Sequence, residues 1–191
     1  MFMSIKISVI CALQERMIAY EQYMKNHILY VNAGWLAEIS TFFLSVFFPD
    51  HSHSSEVILS SEILYEDVLE LLRVVCYCPR KKPITVSNVA VVLQMAHYFG
   101  MQSVLESCRN FINHNVDTLS RTRLFQLTCA LAQCDRHSPT MSLLIDKLST
   151  IKEEELSALH FSEVPGDVVA DVFATKIKRN QLKKRKWCCY F

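Results

Sequence analysis

The chain has 191 residues, 51% hydrophobic and 20% charged, with three glycines and five prolines. That composition suits one good-sized domain, or a small domain with an appendage, and argues against a disordered chain or a barrel of many tight turns. The formal charge of +1 hides an asymmetry. Seven cations, from Lys176 to Lys186, have no acid beside them, so the rest carries −6 and only the tail is built to meet an anion.

Residues 1–16 hold a short apolar run broken by Lys6 and no clean small-residue cleavage site. A signal peptide is not expected, and the segment is left unassigned. Met17–Gln22 and His27–Asn32 read as an extended pair joined around Met24-Lys25-Asn26.

Residues 27–48 are apolar enough, and long enough, to raise the question of a membrane span. Glu38 would then sit deep in hydrocarbon at a cost of about 2.5–3.5 kcal/mol, and no second apolar stretch supplies a partner. The period also changes. A strand ends at Asn32-Ala33-Gly34, and from Leu36 the apolar positions Leu36, Ile39, Phe43 and Phe47 recur at helical spacing. Strand followed by short helices predicts buried core rather than a span, with Pro49-Asp50 stopping the helices.

A polar loop leads to a predicted strand, Glu56–Leu59. A helix then covers Tyr65–Cys76, with Leu64, Val68, Leu71, Leu72 and Val75 as its apolar stripe and Glu66, Glu70 and Arg73 opposite. Ile84–Val86 reads as a short extended piece with Ser87 as N-cap. Val89, Val92, Leu93 and Ala96 form the next stripe, closed by Gly100. The following helix carries Val104, Leu105, Cys108, Phe111 and Ile112, and the short connection predicts an antiparallel hairpin.

Beyond Asn115 the pattern is helical throughout. Leu124, Leu127, Thr128 and Leu131 make one stripe, and Met141, Leu144, Ile145 and Leu148 another behind Ser138-Pro139 as N-cap and first turn. Thr150-x-x-Glu153 has the form of a capping box, and Val168, Val172 and Phe173 should face inward on a last helix. The chain is thus α+β to about residue 115 and all-α afterwards.

The order and spacing of "LYVNAGWLAEISTFF", "VILSSEILYEDVLELLRVVC" and "ITVSNVAVVLQMAHYFGMQSVLESCRNFI" resemble a BTB/POZ domain, most closely the nematode type. The residues after Thr118 are similar to the BACK-like helices that often follow it. The resemblance implies a BTB/POZ fold, a small mixed sheet with helical hairpins, over residues 17–115. A BACK-like region over 116–175 and a basic tail over 176–191 follow.

The same resemblance implies a protein–protein interaction module that forms homodimers and docks on the cullin-3 scaffold of a ubiquitin ligase while holding an unknown substrate protein. By position, the partner surface would draw on Phe47, Phe48, Tyr65, Cys76, Tyr77, Val86 and Asn88. Val86-Ser87-Asn88 lacks the acid of the hydrophobic-x-Glu motif found there in several cullin-binding members, and Val31-Asn32-Ala33 replaces the usual His-Lys.

Phe42, Phe43, Phe47 and Phe48 cannot all face one direction at their spacing, so at least one is expected to serve an interface. His51-x-His53 lacks a third ligand and reads as solvated loop. The eight cysteines are scattered without paired zinc spacing, and reduced thiols in a cytoplasmic or nuclear protein are expected. No nucleophile elbow, HExxH or phosphate-cradling glycine loop occurs, so no enzyme, metal or cofactor is expected.

The tail has three readings: a solvated helix end, a nuclear-import or nucleic-acid segment through Lys183, Lys184, Arg185 and Lys186, or a membrane anchor with Cys188 lipidated beside the basic cluster. The acidic body and the absence of a zinc finger weigh against a nucleic-acid partner.

Overall fold

A computed structural model describes residues 4–9, 26–49, 56–76, 81–157 and 164–188; at 4–6, 8, 9, 26, 27, 157 and 183–188 it gives the backbone alone. The chain divides into two compact units, residues 1–84 with 91–107, and residues 85–90 with 108–191.

The first unit holds a three-stranded sheet of order β2-β1-β3, where β1 is Ser4–Val9, β2 is Asn26–Val31 and β3 is Glu56–Leu59. β1 runs parallel to β2, with Ile7 opposite Leu29, and antiparallel to β3, with Ile7 opposite Val57. Ile7, Leu29 and Val57 are all buried, so this register row forms the inner face that period-two alternation requires.

β1 lies in the segment left unassigned above. Its alternation, Ile5, Ile7 and Val9 against Ser4, Lys6 and Ser8, was a strand signal, but its partners are distant in sequence and pairing cannot be read locally. The described neighbour of β2 is therefore β1, in parallel. Met17–Gln22, expected to pair with β2 as a hairpin, lies outside the described residues.

Two short helices follow β2, α1 (Ala33–Ile39) and α2 (Thr41–Phe47). Asn32 caps α1 by accepting from the Trp35 amide, and Ser40 caps α2 by accepting from the Phe43 amide. Helix α3 (Tyr65–Val75) buries Val68, Leu69, Leu71, Leu72 and Val74. The buried stripe is shifted from the expected one, for Leu64 is exposed at the N-cap and Val75 only half-buried.

No strand forms at Ile84–Val86. Residues 86–88 make a turn, because the Asn88 side chain accepts from the Thr85 amide at 2.7 Å and the Asn88 amide donates to the Thr85 carbonyl. Helix α4 (Val89–Tyr98) buries the expected Val89, Val92, Leu93 and Ala96. Gly100, at φ +62°, turns the chain into α5 (Gln102–Asn115).

The second unit is helical: the end of α5, then α6 (Arg121–Cys134), α7 (Pro139–Ser149), α8 (Glu153–Ser157) and α9 (Gly166–Cys188). Its core includes Leu124, Leu127, Leu131, Met141, Leu144, Leu148, Val168 and Val172. Ser138 caps α7 with Pro139 in the first turn. Thr150 opens no capping box. It is the C-cap of α7, and its hydroxyl donates to the Lys147 carbonyl.

Candidate interaction surface

Helix α2 has two unlike faces. Phe43 and Phe47, 1% and 2% exposed, stack at 5.6 Å, and Phe43 stacks on Phe99 at 4.9 Å. Phe42 meets Phe43 and Phe99 edge-on and also touches Tyr98. On the other side, four residues apart, Leu44 is 50% and Phe48 44% exposed. Residues at that spacing share one helix face, so α2 presents an apolar pair outward while Phe43 and Phe47 form core and Phe42 is half-buried.

Three further large hydrophobic side chains of this unit face outward, Ile58, Leu64 and Tyr98. Ile58 on β3 is 71% exposed, because Val57 and Leu59 take the inner positions. Leu64, ahead of α3, is exposed as well. None of the three belonged to the expected surface. The signal for Ile58 was an isoleucine on the outward register of an alternating strand.

Beyond α3, Lys82 is tied back to that helix. Lys82 pairs with Glu70 at 2.7 Å, and its amide donates to the Arg73 carbonyl at 2.9 Å. Asp67, in the first turn of α3, has its carboxyl raised above the ordinary carboxylate value, first by burial and then by Glu66.

Two of the expected surface residues are buried within the chain. Phe47 is core, because its helical position sits on the stacked face of Phe43. Asn88 is 7% exposed, and its carboxamide is committed to the Thr85 amide. Phe48 and Val86 are exposed, while Tyr65 and Cys76 are half-buried. Phe48, Tyr65 and Cys76 belong to the first unit, Val86 and Asn88 to the second. Tyr77 lies outside the described residues, as do His51 and His53. The side chains of Lys183, Lys184, Arg185, Lys186 and Cys188 do too, though α9 carries their backbone as helix.

The second unit is laced by ion pairs. Arg109 meets Asp135 at 2.7 Å, Arg136 meets Asp167 and, at 3.5 Å, Asp171, and Arg179 meets Asp146 at 2.8 Å. Burial pushes the Cys108 thiol up to about 12 and the Cys134 thiol up to about 11, which keeps both protonated and poorly nucleophilic at neutral pH. Among the described residues no cluster of three His, Cys, Asp or Glu could hold a metal, and no helix is long and apolar enough to cross a membrane.

Comparison with known proteins agrees with this architecture. The chain is 46% identical over 166 residues to Cytokinesis defective protein 7 of Caenorhabditis elegans, covering 83% of this chain and 62% of that protein. It is 32% identical over 97 residues to BTB and MATH domain-containing protein 38 of the same organism, covering 50% of this chain and 24% of that protein. The chain thus spans less than two thirds of the length of either relative. The BTB/POZ domain model matches residues 17–116. Taken with the short strands and the capped helices around the Phe43–Phe99 core, that match shows the chain to belong to the BTB/POZ family, a family of protein–protein interaction domains.

Proposed function

We propose that this chain is a non-enzymatic adaptor that self-associates and docks on a cullin-3 scaffold, in the cytoplasm or nucleus. The observation that carries the proposal is the divided face of α2, where Leu44 and Phe48 stay exposed beside the buried Phe43, Phe47 and Phe99. An apolar pair held on a rigid, capped helix can be buried by a partner at little ordering cost. It also supplies the aromatic anchor on which interface energetics concentrate.

The motif that lacks its acid at Asn88 removes one charge-assisted contact, which leaves apolar burial to provide most of the scaffold affinity. The relative named Cytokinesis defective protein 7 supports cell division as the setting. Light scattering on the eluting chain tests self-association, and pull-down with the N-terminal region of cullin-3 tests docking. A monomer that ignores cullin-3 removes both. Cells depleted of the chain should fail to complete division, and normal division removes the assigned setting.

A further inference from the structure

We propose that the C-terminal half of α9 binds the phosphate backbone of duplex DNA. This inference rests on α9 alone and is independent of the adaptor reading. Seven cations occupy positions 176–186, and no Asp or Glu occurs between residues 172 and 191. The helix continues through all of them to Cys188.

Its first half is held within the second unit. Val168 and Val172 are buried, Lys176 Nζ donates to the Ile151 carbonyl, and Arg179 pairs with Asp146. Two cations are thereby committed to protein partners. The other five stand at positions 178 and 183–186, and Lys178, Asn180, Gln181 and Leu182 are exposed.

The angular distribution chooses among anionic ligands. At about 100° per residue, positions 178, 183, 184, 185 and 186 fall on every side of the helix axis. Positions 177, 182 and 187, which carry Ile, Leu and Trp, share no common side. A helix lying on a bilayer needs its apolar residues gathered on one face, and this one has none. The major groove of B-form DNA is about 12 Å wide, matching a helix of about 10–12 Å diameter, and has a phosphate rail along each wall. The rails lie on the two flanks of a helix in that groove, so cationic positions spread around the axis put several beside phosphates whichever side turns to the groove floor.

The length is adequate too. Residues 178–186 rise about 12 Å, and duplex DNA carries one charge per about 1.7 Å of axis. The acidic body argues against nucleic acid only if the cations are dispersed. A continuous helix instead gathers them along about 12 Å of one axis.

The test uses the full chain, a short labelled duplex of arbitrary sequence and fluorescence anisotropy. With three to five phosphates neutralised, log affinity should fall against log salt with a slope of about −3 to −5, a loss of about fifty- to several-hundred-fold between about 50 and 200 mM. Replacing Lys183, Lys184, Arg185 and Lys186 together by Gln should leave a slope near about −1. Lys178→Gln alone should remove about one unit, and it serves if the fourfold variant fails to fold.

No binding at low salt overturns the proposal, as does an unchanged slope in both variants. Vesicles of phosphatidylcholine and phosphatidylserine form the second arm. If they capture the chain more tightly than the duplex does, the site is a lipid site and the DNA assignment is wrong.

Discussion

Ser40 Oγ donates to the Phe99 carbonyl at 2.5 Å while accepting from the Phe43 amide at 3.1 Å, so one buried hydroxyl caps α2 and fastens it to the end of α4. The neighbouring pair repeats the join, since the Thr41 amide donates to the Gly100 carbonyl at 3.4 Å. Together these bonds seat Phe43 and Phe47 inside, and so leave Leu44 and Phe48 outside.

Ser40→Ala is expected to lower stability by about 1–3 kcal/mol, because a cap is lost and a buried carbonyl is left without its donor. Gly100→Ala should cost about 2 kcal/mol or more. The left-handed backbone alone accounts for about 1–2 kcal/mol, and a β-carbon there would collide with Thr41 Oγ1. Adding Thr41→Ala should recover the steric part and leave the backbone part. Urea denaturation of the two single variants and the double variant measures each share.

The two adjacent phenylalanines should separate stability from binding. Phe47→Ala is expected to cost about 3–5 kcal/mol, the usual loss for a fully buried ring. Phe48→Asp should cost about 1 kcal/mol, since Phe48 is a half-exposed helix C-cap, and weaken self-association or cullin-3 docking at least tenfold. Thermal melts paired with light scattering and pull-down test this. Full partner binding by the Phe48 variant would remove α2 from the interface.

Alkaline pH should destabilise the second unit through its thiols. In the unfolded chain Cys108 ionises near the ordinary value of 9.0, whereas in the fold it stays protonated to about 12. The unfolded state therefore releases its proton first. The stability present below pH 9 should fall as pH rises from 9 towards 12. Cys108→Ala should flatten that decline in a series of urea titrations, though it will lower stability at neutral pH by opening a small cavity. At neutral pH an electrophile such as iodoacetamide should alkylate Cys108 only on the timescale of unfolding.

Ser138 holds the start of α7 in the same manner as Ser40 holds α2. It accepts from the Met141 amide at 3.2 Å and donates to the Asp135 carbonyl at 2.8 Å. Ser138→Ala should cost about 1 kcal/mol. Hydrogen exchange at the first amides of α7 should quicken in that variant while exchange in α3 is unchanged.

Much of this arrangement was legible in the residue order. The alternation of Glu56–Leu59 and the stripes from Val89 to Ala96 and from Leu124 to Leu131 each face one way, so local periodicity suffices. The Ser138-Pro139 signature is equally local. Thr150 and Ser87 carry the same kind of capping chemistry, yet Thr150 closes a helix and the Asn88 carboxamide shapes the turn beside Ser87. A hydroxyl can serve either end of a helix, and only the neighbouring backbone decides which.

By itself the sequence determined the helices from α3 onward and the strand Glu56–Leu59, that the stretch around Trp35 begins in a strand and ends in short helices, that the body is acidic and the tail basic, and that four phenylalanines could not share one face. Those properties depend on spacing and charge along the chain. The tertiary structure alone decided that Ser4–Val9 is the central strand, that Phe48 rather than Phe47 is exposed, and that Asn88 is spent inside a turn. Each of these depends on partners brought together from distant positions, or on which side of an element the core happens to lie, and neither is encoded in local periodicity.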